Sequence, residues 1–231
     1  MLHFQKVSLS INKKEVLSNL NFKISPKEIV AVLGASGAGK SSIFKLLIAE
    51  CKPTIGQIRL DDFSLQDLSS SSMGTYRRQI GVIFQDFRLL PQKTVFENIA
   101  FALEVCGETN HLPQKVNRLI KLVGLEKQTN LFPHELSGGQ KQRVAIGRSL
   151  IHNPKILIAD EPTGNLDPRN SREIAQLLKA INQEQNITIF IATHDPLLVN
   201  VLMPRVIRLE EGKILFDEKV CPVENAFGGI I

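Results

Sequence analysis

Two stretches of the sequence combine glycines with residues that can bind a phosphate. The first is GASGAGKSS, which has the spacing Gly34-x4-Gly39-Lys40-Ser41. In such a loop, glycines let backbone N–H groups converge on the β- and γ-phosphates of a nucleotide, a lysine adds charge, and a hydroxyl can hold Mg²⁺. A glycine-rich turn that merely joins a strand to a helix is the other interpretation. The spacing predicts a phosphate-binding loop made of Gly34, Ala35, Ser36, Gly37, Ala38, Gly39, Lys40, Ser41 and Ser42.

The second stretch, LSGGQKQR at residues 136–143, places a serine and two glycines before a basic, helix-forming segment. A helix that begins this way points free backbone N–H groups outward, which suits an anion. An ordinary helix cap explains the serine, but two glycines in a first turn cost about 1 kcal/mol each relative to alanine. Close approach of a ligand to the backbone would explain them. We therefore predict a second phosphate-facing helix start at Ser137, Gly138, Gly139 and Gln140.

Further polar residues follow apolar runs that are typical of buried strands. Asp160 and Glu161 end ILIADE, Gln85 follows IGVIF, and His194 comes after ITIFIA. Parallel strands deliver such residues to one edge of a sheet, where Asp160 is placed to hold Mg²⁺ and Glu161 to orient or deprotonate an attacking water. Taken alone, two acids that end a strand for solubility are an equally good interpretation, and a lone histidine is more often structural. The phosphate-binding loop upstream favours the chemical interpretation.

The elements that must position these residues form a predicted α/β fold with a mostly parallel central sheet. Short apolar runs at 28–34, 80–84, 155–160 and 187–192 predict its buried strands. Alternating apolar and polar residues near the N-terminus predict an antiparallel β piece, and RVIRLEEGKILFD predicts a closing hairpin.

Apolar spacings of three and four predict two helices between residues 94 and 139, where Pro113 suits a first helical turn. Asp167 and Asp195, each followed by proline, predict two capped helices further along the chain. We expect one domain over residues 1–231. Within it, 1–84 and 153–231 form the catalytic core, and about 85–152 form an inserted helical subdomain.

The bulk composition restricts the partners of the chain. Its 231 residues include 28 basic and 23 acidic side chains without a long run of one sign, which argues against nucleic-acid binding. Three cysteines without C-x-x-C spacing argue against disulfides or a metal site and are typical of a reducing cytosol. The start lacks a signal-peptide core, and the longest apolar run, IAFAL, is too short to span a membrane. We expect action at a membrane to require docking.

GASGAGKS, Gln85, LSGGQ, ILIADE, NLD at 165–167 and His194 together resemble the ATP-binding cassette (ABC) ATPases, in order and over nearly the whole chain. The resemblance implies that the chain binds and hydrolyses ATP with Mg²⁺. It also implies a head-to-tail homodimer, in which Ser137 to Gly139 of one copy close over ATP held by Lys40 of the other.

The resemblance also implies a role for each site residue. Lys40 and the loop amides would hold the phosphates, and Ser41, Gln85 and Asp160 would arrange Mg²⁺ and water. Glu161 would be the catalytic base, and His194 would sense the γ-phosphate. Asp167 would cross the dimer interface. One position departs from the family pattern, because Ile11 stands where an aromatic residue usually stacks on adenine. We therefore expect weak nucleotide affinity and poor discrimination of ATP from GTP.

Within the family, FQDFRLLPQKTVFENIAFALEV and ADEPTGNLD resemble the branch that serves cell division, with its relatives in lipoprotein release and macrolide export. That branch implies a permease-like integral membrane partner at the cytoplasmic face of the membrane, and motion transmitted to cell-wall hydrolases. We expect the partner to dock on the region around Gln85 to Phe101, on whichever residues are exposed among Phe84, Phe87, Leu89, Leu90, Val95 and Phe96. That all six are core is the other interpretation.

Two alternative functions stay open. One is the motor of a lipoprotein-release or macrolide-efflux transporter. The other is a soluble ABC ATPase that takes no part in transport.

Overall fold

The computed structural model describes residues 1–219 of the chain. Its strands are β1 (Leu2–Ile11), β2 (Lys14–Ile24), β3 (Ile29–Leu33), β4 (Ile55–Leu60), β5 (Phe63–Ser64), β6 (Ile80–Ile83), β7 (Ile156–Asp160), β8 (Thr188–Ala192), β9 (Arg205–Glu210) and β10 (Lys213–Glu218). Its α-helices are α1 (Lys40–Leu47), α2 (Ser70–Arg77), α3 (Val95–Glu104), α4 (Leu112–Leu122), α5 (Gly138–Leu150), α6 (Pro168–Gln185) and α7 (Pro196–Leu202). Single 3₁₀ turns lie at Leu65–Asp67, Glu126–Gln128 and Pro133–Glu135.

The smaller sheet is the predicted antiparallel β piece. Its strand order is β2-β1-β4-β5, and its neighbouring strands are all antiparallel. The inner face carries buried apolar side chains, and the rings of Phe4 and Phe22 stack with their centroids 4.4 Å apart.

The larger sheet has the order β10-β9-β3-β8-β7-β6. The pairs from β9 to β6 are parallel, and β10 pairs antiparallel with β9 as the second strand of the predicted hairpin. The predicted α/β fold with a mostly parallel central sheet is therefore confirmed. Because β3, β6, β7 and β8 run in the same direction, the residues that follow them emerge at one edge.

Both faces of the larger sheet are covered, which explains why its strands are continuous apolar runs. Along β8, Ile189 and Ile191 belong to one buried cluster, whereas Phe190 belongs to the other. The first cluster joins this sheet to the smaller sheet and α1. The second joins it to the helices between β6 and β7 and to α6 and α7.

The segment between β6 and β7 is helical, as predicted, and contains α3, α4 and α5. Pro113 lies in the first turn of α4. Thr94 caps α3 in a reciprocal pair with Glu97, which satisfies two otherwise free backbone N–H groups. Among the described residues, no helix is both long enough and apolar enough to cross a bilayer. Cys51 and Cys106 are free thiols, and Cys221 lies outside the described residues.

Helix α2 is an element that the sequence analysis did not predict. Serine is a poor helix former, so Ser70–Arg77 shows no propensity signal. A capping box and one buried side chain stabilise the helix despite its low helix propensity. Ser69 and Ser72 form a capping box, and the fully buried Tyr76 donates its hydroxyl hydrogen bond to the Leu47 carbonyl.

Candidate active site

Four strands bring the predicted site residues to one edge of the larger sheet. Register pairs Val32 of β3 with Ala192 of β8, and Asp160 of β7 with the same Ala192. The chain segments that follow these strands carry the phosphate-binding loop, Gln85, Glu161 and His194. A cavity of about 690 Å³ lies between these segments. It is lined by Val16, Gly34, Ala35, Ser36, Gly37, Gly39, Lys40, Ser41, Ser42, Gln85, Asp160, Glu161 and His194. Ala38 is buried and lies outside this lining.

The phosphate-binding loop ends where α1 begins. Gly39 has φ +107°, a conformation that L side chains rarely adopt, and this turn starts the helix at Lys40. The Lys40 ammonium donates hydrogen bonds back to the carbonyls of Gly34 (2.6 Å) and Ala35 (3.2 Å). The lysine charge therefore stands within the loop, where a phosphate would be cradled.

Glu161 connects the lysine to the histidine. Its Oε1 lies 3.9 Å from Lys40 Nζ and 2.9 Å from His194 Nδ1, and its Oε2 accepts a hydrogen bond from the His194 backbone N–H (3.3 Å). The Glu161 side chain is only 13% exposed, whereas that of His194 is 71% exposed. Glu161 also has φ +47°, an uncommon conformation for a residue other than glycine and one that concentrates at functional sites.

Asp160 lies deeper in the same site, next to the first turn of α1. Burial raises the pKa of its carboxyl, and the neighbouring charge of Glu161 adds to this, while a hydrogen bond from Ser41 and the charge of Lys40 oppose it. A carboxylate and a hydroxyl are the hard oxygen ligands that Mg²⁺ prefers. The pair Ser41 and Asp160 therefore fits the predicted metal position.

Gln85 follows β6, and a residue that the sequence reasoning missed holds it there. Asn165 Nδ2 donates a hydrogen bond to the Gln85 carbonyl oxygen at 3.0 Å. The Gln85 amide also lies against Gly164, where an added Cβ would stand 3.1 Å from Gln85 Nε2. Thr163, from the same loop, donates to Asp195 at 2.8 Å. The loop after Glu161 thus braces two neighbouring segments of the site.

The second predicted phosphate-facing helix start lies apart from this cavity. Ser137 caps α5 through a reciprocal pair with Gln140, and none of the residues from Ser137 to Gln140 lines the cavity. Ser137 is exposed and so remains accessible to another molecule. Within a single copy, the two glycine-rich stretches do not share one pocket.

The structure explains why residue 139 is a glycine. The sequence alone did not predict this explanation, which lies within the chain. A Cβ at Gly139 would lie 2.2 Å from Asn170 Oδ1 of α6, so the close neighbour is a side chain of the same protein. Asn170 also hydrogen-bonds Asp167, the cap residue of α6. These hydrogen bonds lower the pKa of Asp167. Gly139 is therefore no independent evidence for a ligand at that helix start.

The structure places no aromatic side chain at the position where the family usually stacks one on adenine. Ile11 ends β1 and is 42% exposed, and Val16 of β2 is the apolar side chain that lines the cavity. Tyr76, the single tyrosine in the sequence, is buried under α1.

The chain belongs to the ABC transporter family, and the match covers residues 17–164. It is 46% identical over 208 residues to the cell division ATP-binding protein FtsE of Streptococcus pneumoniae, which covers 90% of each chain. It is also 41% identical to the methionine import ATP-binding protein MetN 2 of Bacillus cereus, over 90% of this chain and 61% of that protein.

A solved structure extends the comparison to three dimensions. The dimeric structure of a post-hydrolysis state of the ATP-binding cassette MJ0796, bound to ADP and Pi, matches with a TM-score of 0.83 and 33% identity. The match covers 96% of this chain and 100% of that one. The predicted family and activity are confirmed, since the chain is an ABC ATPase and the reaction that it catalyses is the hydrolysis of ATP.

Proposed function

We propose that the chain is the ATP-hydrolysing subunit of an FtsE-like complex. It acts as a homodimer on an FtsX-like permease at the cytoplasmic face of the membrane, and it transmits ATP-driven motion that controls cell-wall hydrolysis during division. The observation that carries the catalytic part is the cavity in which Lys40, Glu161 and His194 converge. The similarity to FtsE supports the cellular part.

The charged residues and the loop amides of the cavity each have a role in hydrolysis. Lys40 and the amides of the phosphate-binding loop bind the β- and γ-phosphates. Glu161 accepts a proton from the attacking water while the water oxygen bonds to the γ-phosphorus and the bond to the ADP oxygen breaks. His194, held by Glu161, contacts the γ-phosphate and distinguishes ATP from ADP. The products are ADP and phosphate.

Mg²⁺ is the metal that the family implies, and the residues present fit it. Ser41, Gln85 and Asp160 all line the cavity, and they carry a hydroxyl, an amide oxygen and a carboxylate. When bound, the metal neutralises charge that develops on the phosphate oxygens. Asp160, whose pKa is raised by burial, gains from a cation beside it, because the charged form is then stabilised.

The head-to-tail homodimer is supported by the position of the second helix start. Ser137 is exposed at the capped end of α5 and lies outside the cavity of its own copy. With two-fold symmetry, Ser137 to Gly139 of each copy close over the ATP held by Lys40 of the other, and Asp167 lies at the interface. Each active site therefore draws residues from both copies.

The membrane partner docks on the region around Gln85 to Phe101. Of the six apolar residues predicted there, Val95 is fully buried and belongs to the core. Phe84, Phe87, Leu89, Leu90 and Phe96 are half-buried. These five residues offer apolar surface to a helix of the partner.

Hydrolysis at this site is tested by Glu161→Gln. The variant keeps the shape of the side chain but cannot accept a proton, so we expect ATP binding to persist and kcat to fall by at least about 100-fold. Light scattering should also show an ATP-dependent dimer that persists. Glu184→Gln, an exposed change on α6, is the control. Turnover of Glu161→Gln at the parent rate would remove Glu161 from its role as base.

The cellular role is tested by depletion of the chain in its native host. We expect division to fail, with rescue by the parent protein and no rescue by Glu161→Gln. Purification from native membranes should recover a permease with a large extracytoplasmic region. Methionine import is the second candidate, because MetN 2 is 41% identical. Normal division with lost methionine uptake would favour it, and recovery of a lipoprotein-release or macrolide-efflux permease would favour that transporter class.

A further inference from the structure

The loop that follows Gln85 contains a strained turn. Phe87 and Arg88 are consecutive residues with positive φ, at +58° and +47°, in a region where residues other than glycine are uncommon. The Arg88 amide also donates to the Asp86 carbonyl two residues earlier, at 2.6 Å, which makes the turn tight. Such a conformation persists only where surrounding contacts enforce it.

Arg148 of α5 supplies these contacts. Its Nη2 donates to the Phe87 carbonyl at 2.8 Å, and its Nη1 donates to the Arg88 carbonyl at 2.5 Å. The side chain is half-buried, and this burial lowers the pKa of its guanidinium. Within residues 1–219, no carboxylate lies at ion-pair distance from Arg148. The two carbonyls of the strained turn are therefore its hydrogen-bond partners.

Helix α5 connects this contact to the exposed helix start. Ser137 caps one end of α5, and Arg148 lies 11 residues later (148 − 137), near the other end. At 1.5 Å per residue, the two positions are about 16 Å apart along a rigid helix. A displacement of the Ser137 end would therefore be carried to the loop after Gln85.

The start of the loop is held by different elements. The Gln85 carbonyl accepts a hydrogen bond from Asn165, which follows β7 in the catalytic core. The Gln85 carbonyl is thus fixed to the segment after β7, whereas the carbonyls of Phe87 and Arg88 are fixed to α5. The strained turn lies at the point where the chain passes from one to the other.

We infer that Arg148 is a positioning residue for ATP hydrolysis, which couples the Ser137 end of α5 to Gln85 through the turn at Phe87 and Arg88. The inference rests on the proposed role of Gln85 at the metal and water. Arg148 does not line the cavity, so it acts on the reaction only through the loop.

A fluorescent reporter tests the contact independently of ATP turnover. The sequence contains no tryptophan, so Phe87→Trp in the full chain places a unique fluorophore in the turn. In this background we compare Arg148→Met, which keeps the stem and removes the donors, with Arg148→Lys, which keeps the charge but lacks the rigid, planar fork of the guanidinium. We expect a red shift of emission and stronger acrylamide quenching in Arg148→Met, with an intermediate effect in Arg148→Lys.

Steady-state kinetics on the same proteins test the coupling. We expect kcat of Arg148→Met to fall about tenfold, which corresponds to about 1.4 kcal/mol in the barrier. KM for Mg·ATP should change less than about twofold, because the nucleotide contacts are intact. Arg143→Met is the matched control, since half-buried Arg143 lies on the same helix and also makes two side-chain hydrogen bonds, to Val123 and Glu173.

The outcomes separate this inference from the proposed function. A shifted emission with parent kcat would overturn the coupling, and unchanged emission in both Arg148 variants would overturn the contact. If Arg148→Met and Arg143→Met lose kcat equally and lose Tm equally, Arg148 affects turnover only through the stability of the fold, and the coupling is overturned. If Glu161→Gln turns over ATP while the emission shift is observed, the proposed site is wrong and the contact at Phe87 stands.

Discussion

At the scale of single residues, the site combines two neighbouring carboxylates with a lysine and a histidine. Lys40 lies beside Glu161, and the same carboxylate accepts from His194. Asp160 has the least favourable surroundings, because burial and the charge of Glu161 both raise its pKa. An ionised Asp160 therefore destabilises the folded protein when no metal ion is beside it, despite the nearby charge of Lys40.

Asp160→Asn should consequently raise the Tm of the nucleotide-free protein by a few degrees at neutral pH. Since the folded pKa lies above the unfolded value of 3.8, the penalty is absent below that value and grows as pH rises through the folded pKa. The difference in Tm between variant and parent should therefore shrink as the pH is lowered toward 4. Mg·ATP should stabilise the parent more than the variant.

Differential scanning calorimetry across this pH range checks the prediction. Asp62→Asn, a change at an exposed carboxylate, is the control and should leave Tm nearly unchanged. A lower Tm for Asp160→Asn at neutral pH would contradict the account of Asp160.

Nucleotide selectivity also belongs to the residue scale, because Ile11 offers no aromatic face. We expect the parent to bind ATP weakly and to discriminate poorly against GTP. Ile11→Tyr should tighten ATP binding by about 1 to 3 kcal/mol, the range for base stacking on an aromatic ring. Competition binding measures this, with Ile55→Tyr as a control at another exposed isoleucine of the smaller sheet. A strong ATP preference in the parent would contradict the expectation.

At the scale of elements, the loop between β6 and α3 is fixed by side chains from two helices. Arg148 of α5 holds its first half. Asn98 of α3 holds its second half, since its fully buried amide donates to the carbonyls of Leu90, Lys93 and Thr94 and accepts from the Leu90 N–H. Side chains of the helical segment therefore fix the loop after Gln85 at two places.

Asn98→Ala should lower the free energy of unfolding by about 2 to 3 kcal/mol, because it leaves buried backbone groups without partners. Urea unfolding measures the loss. Asn117→Ala, at an exposed position of α4, should change stability by less than about 0.5 kcal/mol. Equal effects of the two changes would show that Asn98 does not organise the loop.

Many of the strands and helices could be predicted from the sequence, because the signals for them lie within a few neighbouring residues. The apolar runs of β7 and β8 and the caps Asp167 and Asp195 identify themselves within a few residues. The contacts that brace the site are not local. Asn165 and Gln85 are 80 residues apart in the chain, and Arg148 and Arg88 are 60 apart, so no local pattern marks them.

Helix α2 and Gly139 show two further limits. A run of serines has no helical periodicity, and its helix depends on one capping box and the buried Tyr76. Residue 139 is a glycine because Asn170, in a helix that follows β7, lies too close to leave room for a Cβ. The position of the phosphate-binding loop was predictable because its glycines and lysine act on a ligand within nine consecutive residues.

At the scale of the whole molecule, one copy contains two complementary halves that do not meet. The cavity holds Lys40, and the exposed Ser137 end of α5 lies outside it. We expect these halves to meet between two copies. Lys40→Ala should abolish nucleotide binding in its own copy, and Ser137→Arg should block the surface that closes over the ATP of the other copy.

The most direct test mixes these two inactive variants. In a head-to-tail dimer, a mixed pair has one site with both lesions and one intact site. An equimolar mixture should therefore recover about one quarter of the parent ATPase rate, because half of the dimers are mixed and each has one active site. A mixture that stays at the level of the separate variants would contradict the claim that each site is shared by two copies.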